Sequence, residues 1–591
     1  MTPQVQTLSP RRKTTVALDT PGLVAEQLQH FGIRPDTEYG QTLGRIAGRL
    51  YESQADLERL WELTLTEIGK LDRADRIAYF NAKKFLAFQL AKLLDNLQNP
   101  TRRTYQSLEY SPATQYAKGP YPVFDNVTAI FAASPVIART ATYIYACAEW
   151  IEAAFQGKEL LLEIYSRLLN PTSVALANYI VDLEAGPYAR EYFAWNFSSG
   201  MAAIDAVLAH VLGRDDTLIT SRNIYGGAYQ LIHDWYAKSS NLEIAVECFD
   251  GFGAAEVMAG WERVRQQYSS RLAAGRRAYV YLESPCNPHG YVLDVPAICR
   301  AAHGAGLRVM LDSTVGTPFL VRSLQRSDPA ERPDFVIHSY TKDLSGSGSV
   351  IGGVVIGRNE DMFIPKGDSV GGVAWNETMF WNVYYIKGAF LTADAAYEII
   401  AGMRTLEVRM LAKCINTIIL ARFLDAHPDI AVHCNALPHN ENSSLREQLL
   451  ALGLPAPLFT IDMEQAGVPR DAFQRFFDNL SPTFGHMISL GQPNTIVSCP
   501  ALTTHSELSD AELARAGIRP TTIRFAVGDE DPKDLIAHLV HAARFTIDPH
   551  VNGFSLRFPP AAEIDSLIRQ CYLDVHRQYI ESKPPFAALV S

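Results

Sequence analysis

The sequence predicts a large α/β protein built on a parallel sheet, followed by a smaller α+β unit and preceded by helices. Three observations carry this expectation. AYVYLES (278–284), LRVMLDST (307–314) and DFVIHSYT (334–341) are short apolar runs that end in polar residues, the pattern of buried parallel strands. DVPAICRAAHGAG, between the first two, reads as a helix closing on glycine. After a helical stretch near 390–424, PLFTIDM (457–463), RDAFQRFFDNL, ISLGQP, TTIRFAVGDEDP and DLIAHLVHAARF mark a second unit, and Asp531-Pro532 starts its last helix.

The N-terminal part is helical in pattern. Leu57, Leu60, Trp61, Leu65 and Ile68 fall at helical spacing, as do Ile77, Phe80, Phe85, Leu86, Leu90, Leu93 and Leu97, before Asn99-Pro100 breaks the run. No chemical motif stands out there, so a packing layer is the expected role. The domains expected are 1–134, a helical extension; 135–400, the large domain; 401–546, the small domain; and 547–591, a tail with no assignment.

Composition narrows the function. A chain of 591 residues with 47% hydrophobic and 20% charged residues is a multi-domain globular protein. Its 53 basic and 64 acidic residues give a net charge of −11, which speaks against nucleic acid or a membrane surface as partner. The start, MTPQVQTLSPRRKTTVALD, lacks the apolar core of a secretory signal. TAIFAASPVIARTATYIYACAEW is interrupted by Pro135, Arg139 and Glu149, so no membrane span is expected. The eight cysteines are scattered singly, so neither a disulfide framework nor a metal site is expected, and a cytoplasmic enzyme is.

In parallel sheets ligands collect at the carboxyl ends of the strands, which here carry Glu283, Asp312 and the cluster Ser339–Lys342. Lys342 is either a solvated surface charge or an amine held for chemistry. The hydroxyls of Ser339 and Thr341 beside it suit an anion, and a desolvated lysine forms Schiff bases with carbonyl cofactors. Asp312 either caps a helix or faces a pyridinium nitrogen. In NFSSGMAAIDAVLAHVL (196–212), Gly200 opens an apolar helix whose N-terminus can receive a phosphate. Gly346, Gly348 and Gly352 have the wrong spacing for a dinucleotide loop. Tyr225, before two glycines, can present its ring to a ligand or simply occupy a turn. Arg524 inside an apolar run needs an anion, either an internal carboxylate or that of a substrate.

Taken in order, YSRLLNPT (165–172), SSGMAAI (198–204), YGGAY (225–229), ESPCNP (283–288), LDSTVGTP (311–318), SYTK (339–342), SLG (489–491) and IRFAVGDED (523–531) resemble the cystathionine γ-synthase-like enzymes of cysteine and methionine metabolism. These are pyridoxal-phosphate (PLP) enzymes of the aspartate-aminotransferase fold type. The resemblance implies PLP fold type I: a large domain with a mostly parallel seven-stranded sheet and a smaller α+β C-terminal domain. It implies that Lys342 binds PLP as a Schiff base and shuttles protons, that Asp312 faces the ring nitrogen, and that Tyr225 stacks on the ring. Gly200, Met201, Ser339 and Thr341 would hold the phosphate, Asn287 would approach the ring hydroxyl, and Arg524 with Ser489 would bind the substrate carboxylate. Tyr165 and Arg167 would reach the phosphate of a neighbouring subunit, making the protein a homo-oligomer, at least a dimer and by family habit a tetramer.

The implied reaction is γ-replacement or γ-elimination on an L-amino acid of the O-acyl-homoserine, methionine or cystathionine type, through a lysine-bound aldimine and a vinylglycine-type intermediate. β-Elimination releasing pyruvate is the alternative, and a non-catalytic PLP-fold subunit a third reading. The chain departs from the family pattern in KDLSGSGSVIGG, where a His and an Asp are common, at Ser313 for Asn, and at Ala228 for Thr. Ile488 stands where several members that use cysteine or cystathionine carry a glutamate, which weakens cystathionine synthesis. The extension before residue 135 is also unusual, and whatever is distinctive in the reaction is expected at Asp343–Ser349.

Overall fold

A computed structural model describes residues 19–30, 32–70, 92, 111–118, 133–143, 151–152, 155, 165–502, 513 and 518–584. Two compact units are distinguished, one covering most of the chain before residue 137 and one covering the rest. In the first, helix Thr20–His30 packs on helix Glu38–Lys70, where a Cβ at Gly44 would lie 3.5 Å from Val24. The first set of helically spaced residues, Leu57 to Ile68, falls on this second helix. The second set, Ile77 to Leu97, and the Asn99-Pro100 break lie outside the described residues.

The second unit is organised by a seven-stranded sheet of β1 (Tyr192–Phe197), β2 (Thr217–Ser221), β3 (Ala245–Phe249), β4 (Ala278–Glu283), β5 (Arg308–Asp312), β6 (Phe335–Ser339) and β7 (Gly353–Arg358). The spatial order is β1-β7-β6-β5-β4-β2-β3, and only β7 runs against the other six. The three runs read as strands from sequence are β4, β5 and β6, and DVPAICRAAHGAG forms helix Val295–Gly304. Strand residues alternate between two cores. Tyr279 and Tyr281 of β4 pack with Met310, Phe335 and Ile337 on one face, while Val280 and Leu282 pack with Val309 and Leu311 on the other. Burying each of these side chains contributes about 1.5–3 kcal/mol, which makes the sheet a stiff platform.

Helices Ala393–Met403 and Leu406–Asp425 lead into a five-stranded sheet ordered 431–433, 458–462, 523–526, 496–498, 485–486, antiparallel except for its last pair. Asp531 caps helix Pro532–Thr546 through the Lys533 N–H, as the Asp-Pro start implied. The tail left unassigned from sequence contains helix Ala561–Glu581, which packs on helix Leu406–Asp425 and buries Ile568, Cys571 and Val575. Its apolar residues fall three and four apart, which is a helical signal in the sequence itself. No helix among the described residues is long and apolar enough to cross a membrane.

The loop after β4 joins the two sheets. Asn442 accepts the Val292 N–H at 2.7 Å and donates to the Val292 carbonyl at 2.8 Å, while Asn435 donates to the Gly290 carbonyl. Gly290 has φ +72°, and a Cβ there would lie 2.2 Å from the Leu458 carbonyl oxygen of the second sheet. Gly467 shares the left-handed backbone, at φ +63°, but has open space around it. Gly467→Ala should therefore cost about 1–2 kcal/mol from backbone strain alone. Gly290→Ala should cost more, by about 1–3 kcal/mol of overpacking, read as a larger fall in the thermal unfolding midpoint.

Candidate active site

Because β1, β2, β4, β5 and β6 are parallel, the loops that follow them meet at one edge of the sheet. They deliver Gly200 and Met201, Tyr225, Glu283 and Asn287, Asp312 and Thr314, and Ser339, Thr341 and Lys342 to a single cleft. Ile488, Ser489, Leu490 and Arg524 close it from the second sheet, giving about 900 Å³ with the space open to solvent included.

Lys342 reaches across this cleft, and its Nζ donates to the Ser489 hydroxyl at 3.1 Å. Burial lowers the pKa of its ammonium, the Arg524 charge lowers it further, and Asp343 opposes both. Arg524 is 2% exposed, with Nη1 donating to Asn287 Oδ1 at 3.1 Å and Nη2 to the Ser489 carbonyl at 2.7 Å. Its Nε has no acceptor among the described residues. Burial brings its pKa down to about 10, with Tyr225 opposing the shift. Of the two readings left open for this arginine, the internal ion pair is absent: no described carboxylate meets it.

The opposite charge is concentrated on the sheet. Glu283 and Asp312 are paired residues of adjacent strands, both buried. Glu283 accepts the Tyr225 N–H at 2.6 Å and the Asn287 N–H at 2.8 Å, and Asp312 accepts the Thr314 N–H at 3.0 Å. Burial pushes the Glu283 carboxyl up to about 8, the Asp312 charge adds to the rise, and the two backbone N–H groups oppose it. Burial also raises Asp312, against its bonds to Thr314. Neither carboxyl pairs with a described lysine or arginine. The sequence marks Glu283 only as a strand-end residue, and the signal for its role is its place in the ESP turn after β4.

The start of helix Gly200–Val211 opens on the cleft. Ser199 caps the Ala202 N–H, so the Gly200 and Met201 N–H groups have no acceptor within the helix and belong to residues lining the cleft. A Cβ at Gly200 would lie 2.7 Å from Ser339 Cβ, so only glycine lets the helix start this close to β6. Thr341 spends its hydroxyl on the Gly352 N–H and carbonyl, at 3.1 and 3.3 Å, and thus braces the strand end while lining the cleft. The Tyr225 ring and the Met201 sulfur both lie against Gly227, where a Cβ would come within 2.6 Å of the ring and 3.0 Å of the sulfur.

Tyr165 and Arg167 do not line the cleft of their own chain. Tyr165 is 41% exposed and bridges Thr142, and Arg167 lies between the Tyr165 and Tyr385 rings while donating to the Tyr385 carbonyl at 2.6 Å.

The family model for Cys/Met metabolism PLP-dependent enzymes matches residues 125–544. The chain belongs to that family. It is 31% identical to an L-methionine γ-lyase of Porphyromonas gingivalis over 411 residues, 69% of this chain and 92% of the relative. It is 30% identical to an O-succinylhomoserine sulfhydrylase of Pseudomonas aeruginosa, over 68% of this chain and 88% of the relative. A solved structure of a putative O-acetylhomoserine (thiol)-lyase from Campylobacter jejuni, containing a pyridoxyl-lysine phosphate, superposes with a TM-score of 0.60 at 27% identity, covering 70% of this chain and 96% of its own.

PLP is the cofactor of this family, and the cleft fits it by charge. The helix start at Gly200 suits its phosphate, and the acid pair on β4 and β5 suits a ring nitrogen that binds a proton. Lys342 supplies an amine whose pKa burial has lowered, and Arg524 remains for a second anion. The charge arrangement has a direct consequence: without cofactor, the Glu283–Asp312 pair should hold a proton at neutral pH. Difference infrared spectra between about pH 6 and about pH 10 should show one protonated carboxyl disappear, and Glu283→Gln should remove that signal. A pair ionised across the whole range would contradict the arrangement.

Proposed function

We propose that the chain acts at the γ-carbon of an L-amino acid whose γ-substituent is an ester or thioether carrying no second amino-acid head, by elimination or replacement. The observation that carries this reading is Arg524, a buried guanidinium with an unfilled Nε and only neutral partners, beside the lysine amine. A buried cation of this kind is stabilised by an incoming carboxylate, through charge-assisted and bidentate hydrogen bonds.

In this reading PLP would be held by Lys342, by Gly200, Met201 and Ser339 around its phosphate with Thr341 bracing that strand end through Gly352, by Asp312 at its nitrogen, by Asn287 near its hydroxyl and by the Tyr225 ring. Once bound, it supplies an electron sink for the pair freed at the substrate α-carbon. Arg524 and Ser489 fix the substrate carboxylate, which orients the Cα–H bond. The Lys342 amine takes the α-proton, and its lowered pKa keeps a larger share of it unprotonated and ready as a base. The same amine, on its Ser489 tether, can carry protons between Cα, Cβ and Cγ, which lie along one face of an extended substrate. Ile488 and Leu490 give the γ-end an apolar lining, and the carboxylates lining the cleft, Glu283 and Asp312, lie at the sheet. A substrate with an ammonium on its distal end would find no carboxylate partner there among the described residues.

Product identification by NMR after incubating the PLP-loaded chain with an amino-acid panel is the test. Release of 2-oxobutanoate, or a γ-replacement product when a thiol is supplied, supports the proposal, and pyruvate alone would overturn it in favour of β-elimination. Lys342→Ala should lower kcat by about 10²–10⁴-fold, the range of a positioned proton-transfer group. Arg524→Gln should raise KM by about 10–100-fold, as loss of charged hydrogen bonds predicts.

We further propose a homo-oligomer with shared sites, supported by Tyr165 and Arg167 being absent from their own cleft. Arg167→Ala and Lys342→Ala subunits, each inactive alone, should recover about a quarter of full activity when randomly mixed into dimers, since one site of each mixed dimer is intact. No recovery with subunit exchange demonstrated would sink the shared site.

A further inference from the structure

Lys413 lies outside the cleft, in the middle of helix Leu406–Asp425, and is fully buried. A buried lysine is expensive unless it is paired and hydrogen-bonded. Its Nζ donates to Asp343 Oδ1 at 2.7 Å and to the Gln492 carbonyl at 2.8 Å. Asp343 directly follows Lys342, and Gln492 follows Ser489 by three residues, so one ammonium ties together the segments that carry the two ends of the Lys342–Ser489 contact. The segments also touch: Gly491 has φ +83°, and a Cβ there would lie 2.4 Å from the Asp343 nitrogen and 2.8 Å from Lys342 Cα.

Two neighbours on the same helical face continue the pattern, at the spacing that aligns side chains along a helix. Arg409 donates to the Asp343 carbonyl and the Gly402 carbonyl, both at 2.9 Å, so it grips the backbone and leaves the carboxylate to Lys413. Asn416 donates to the Gly528 and Glu530 carbonyls, in the loop after Arg524. The second Asp343 oxygen is buried with no partner among the described residues, so of these Lys413 alone gives the carboxylate a side-chain donor.

We propose that Lys413 is a positioning residue for Lys342, acting through Asp343 and Gln492 to set the distance between Lys342 and Ser489. This rests on the reading of Lys342 as the reacting amine. Removing the ammonium strands a buried carboxylate one residue from Lys342, and the segment must shift to solvate it. A shift of about 1 Å in a reacting group lowers a rate by about 100-fold.

The test uses the full PLP-loaded chain and the variants Lys413→Met, Asp343→Asn and their combination. For Lys413→Met, kcat should fall by about 10–100-fold with KM changed by less than about threefold. The visible circular dichroism of bound PLP, which reports how the ring is held, should fall by about half or more, while borohydride still fixes PLP onto Lys342. Because Lys413 acts through Asp343, the double variant should lose no more kcat than the worse single one. Wild-type kcat and circular dichroism in Lys413→Met would overturn the proposal, even with a lowered melting point, and so would additive losses. If Lys413→Met does not fold, the double variant, which has no stranded charge but also lacks the ammonium's ties to Asp343 and the Gln492 carbonyl, carries the test through those lost ties, and wild-type kcat and dichroism there would overturn it. Absence of borohydride labelling at Lys342 in the unmodified chain would instead defeat the reading of Lys342 itself.

Discussion

The site depends on keeping two buried charge groups of opposite sign apart. Glu283 and Asp312 lie side by side on β4 and β5, and Lys342 and Arg524 lie toward the second sheet. Left to themselves, these groups would form ion pairs and neutralise one another. The carboxyls are fixed to central strands of the large sheet and Arg524 to strand Ile523–Ala526 of the small one, while Lys342, which follows β6 of the large sheet, turns its amine to Ser489. The result is a cleft that is polarised before anything binds. A ligand with a phosphate, a basic ring nitrogen and a carbonyl, joined by a substrate carboxylate, would satisfy groups that the protein alone leaves unsatisfied.

Relative placement of the two sheets then becomes part of the chemistry. The clamp at Gly290, Asn435 and Asn442 holds the loop after β4 against the small sheet. On the other side, Arg409, Lys413 and Asn416 of a single helix hold the loops after Lys342, Ser489 and Arg524. Surface ion pairs such as Arg139–Asp394 contribute about 0–1 kcal/mol and do little to this geometry. The buried contacts decide it.

The glycine-rich segment after Lys342 marks this chain off from its family pattern, and its structure gives that departure a physical meaning. Gly346 packs on the Arg409 guanidinium and Gly348 on Gln492, while Ser347 and Ser349 meet Glu398. The segment is therefore a braced turn, and Asp343 within it is the anion that Lys413 needs.

Much of this was legible in the sequence. Apolar runs ending in polar residues gave β4, β5 and β6, because a strand buried on both faces must be apolar until it leaves the sheet. Once these strands are parallel, the residues after them must share an edge, so Glu283, Asp312 and Ser339–Lys342 were readable as one group, and the family resemblance added Gly200 and Tyr225 to it. Charge state and partner choice were not readable. Whether Arg524 meets an internal carboxylate depends on what lies across from it, 237 residues away at Asn287. The Glu283–Asp312 pair follows from strand register, and Lys413–Asp343 from packing a helix against a loop 70 residues distant. Local patterns in a chain determine which segments become strands and helices, since period and capping act over a few residues. Burial and long-range contact decide what each ionisable group faces, and only the folded chain brings those groups together.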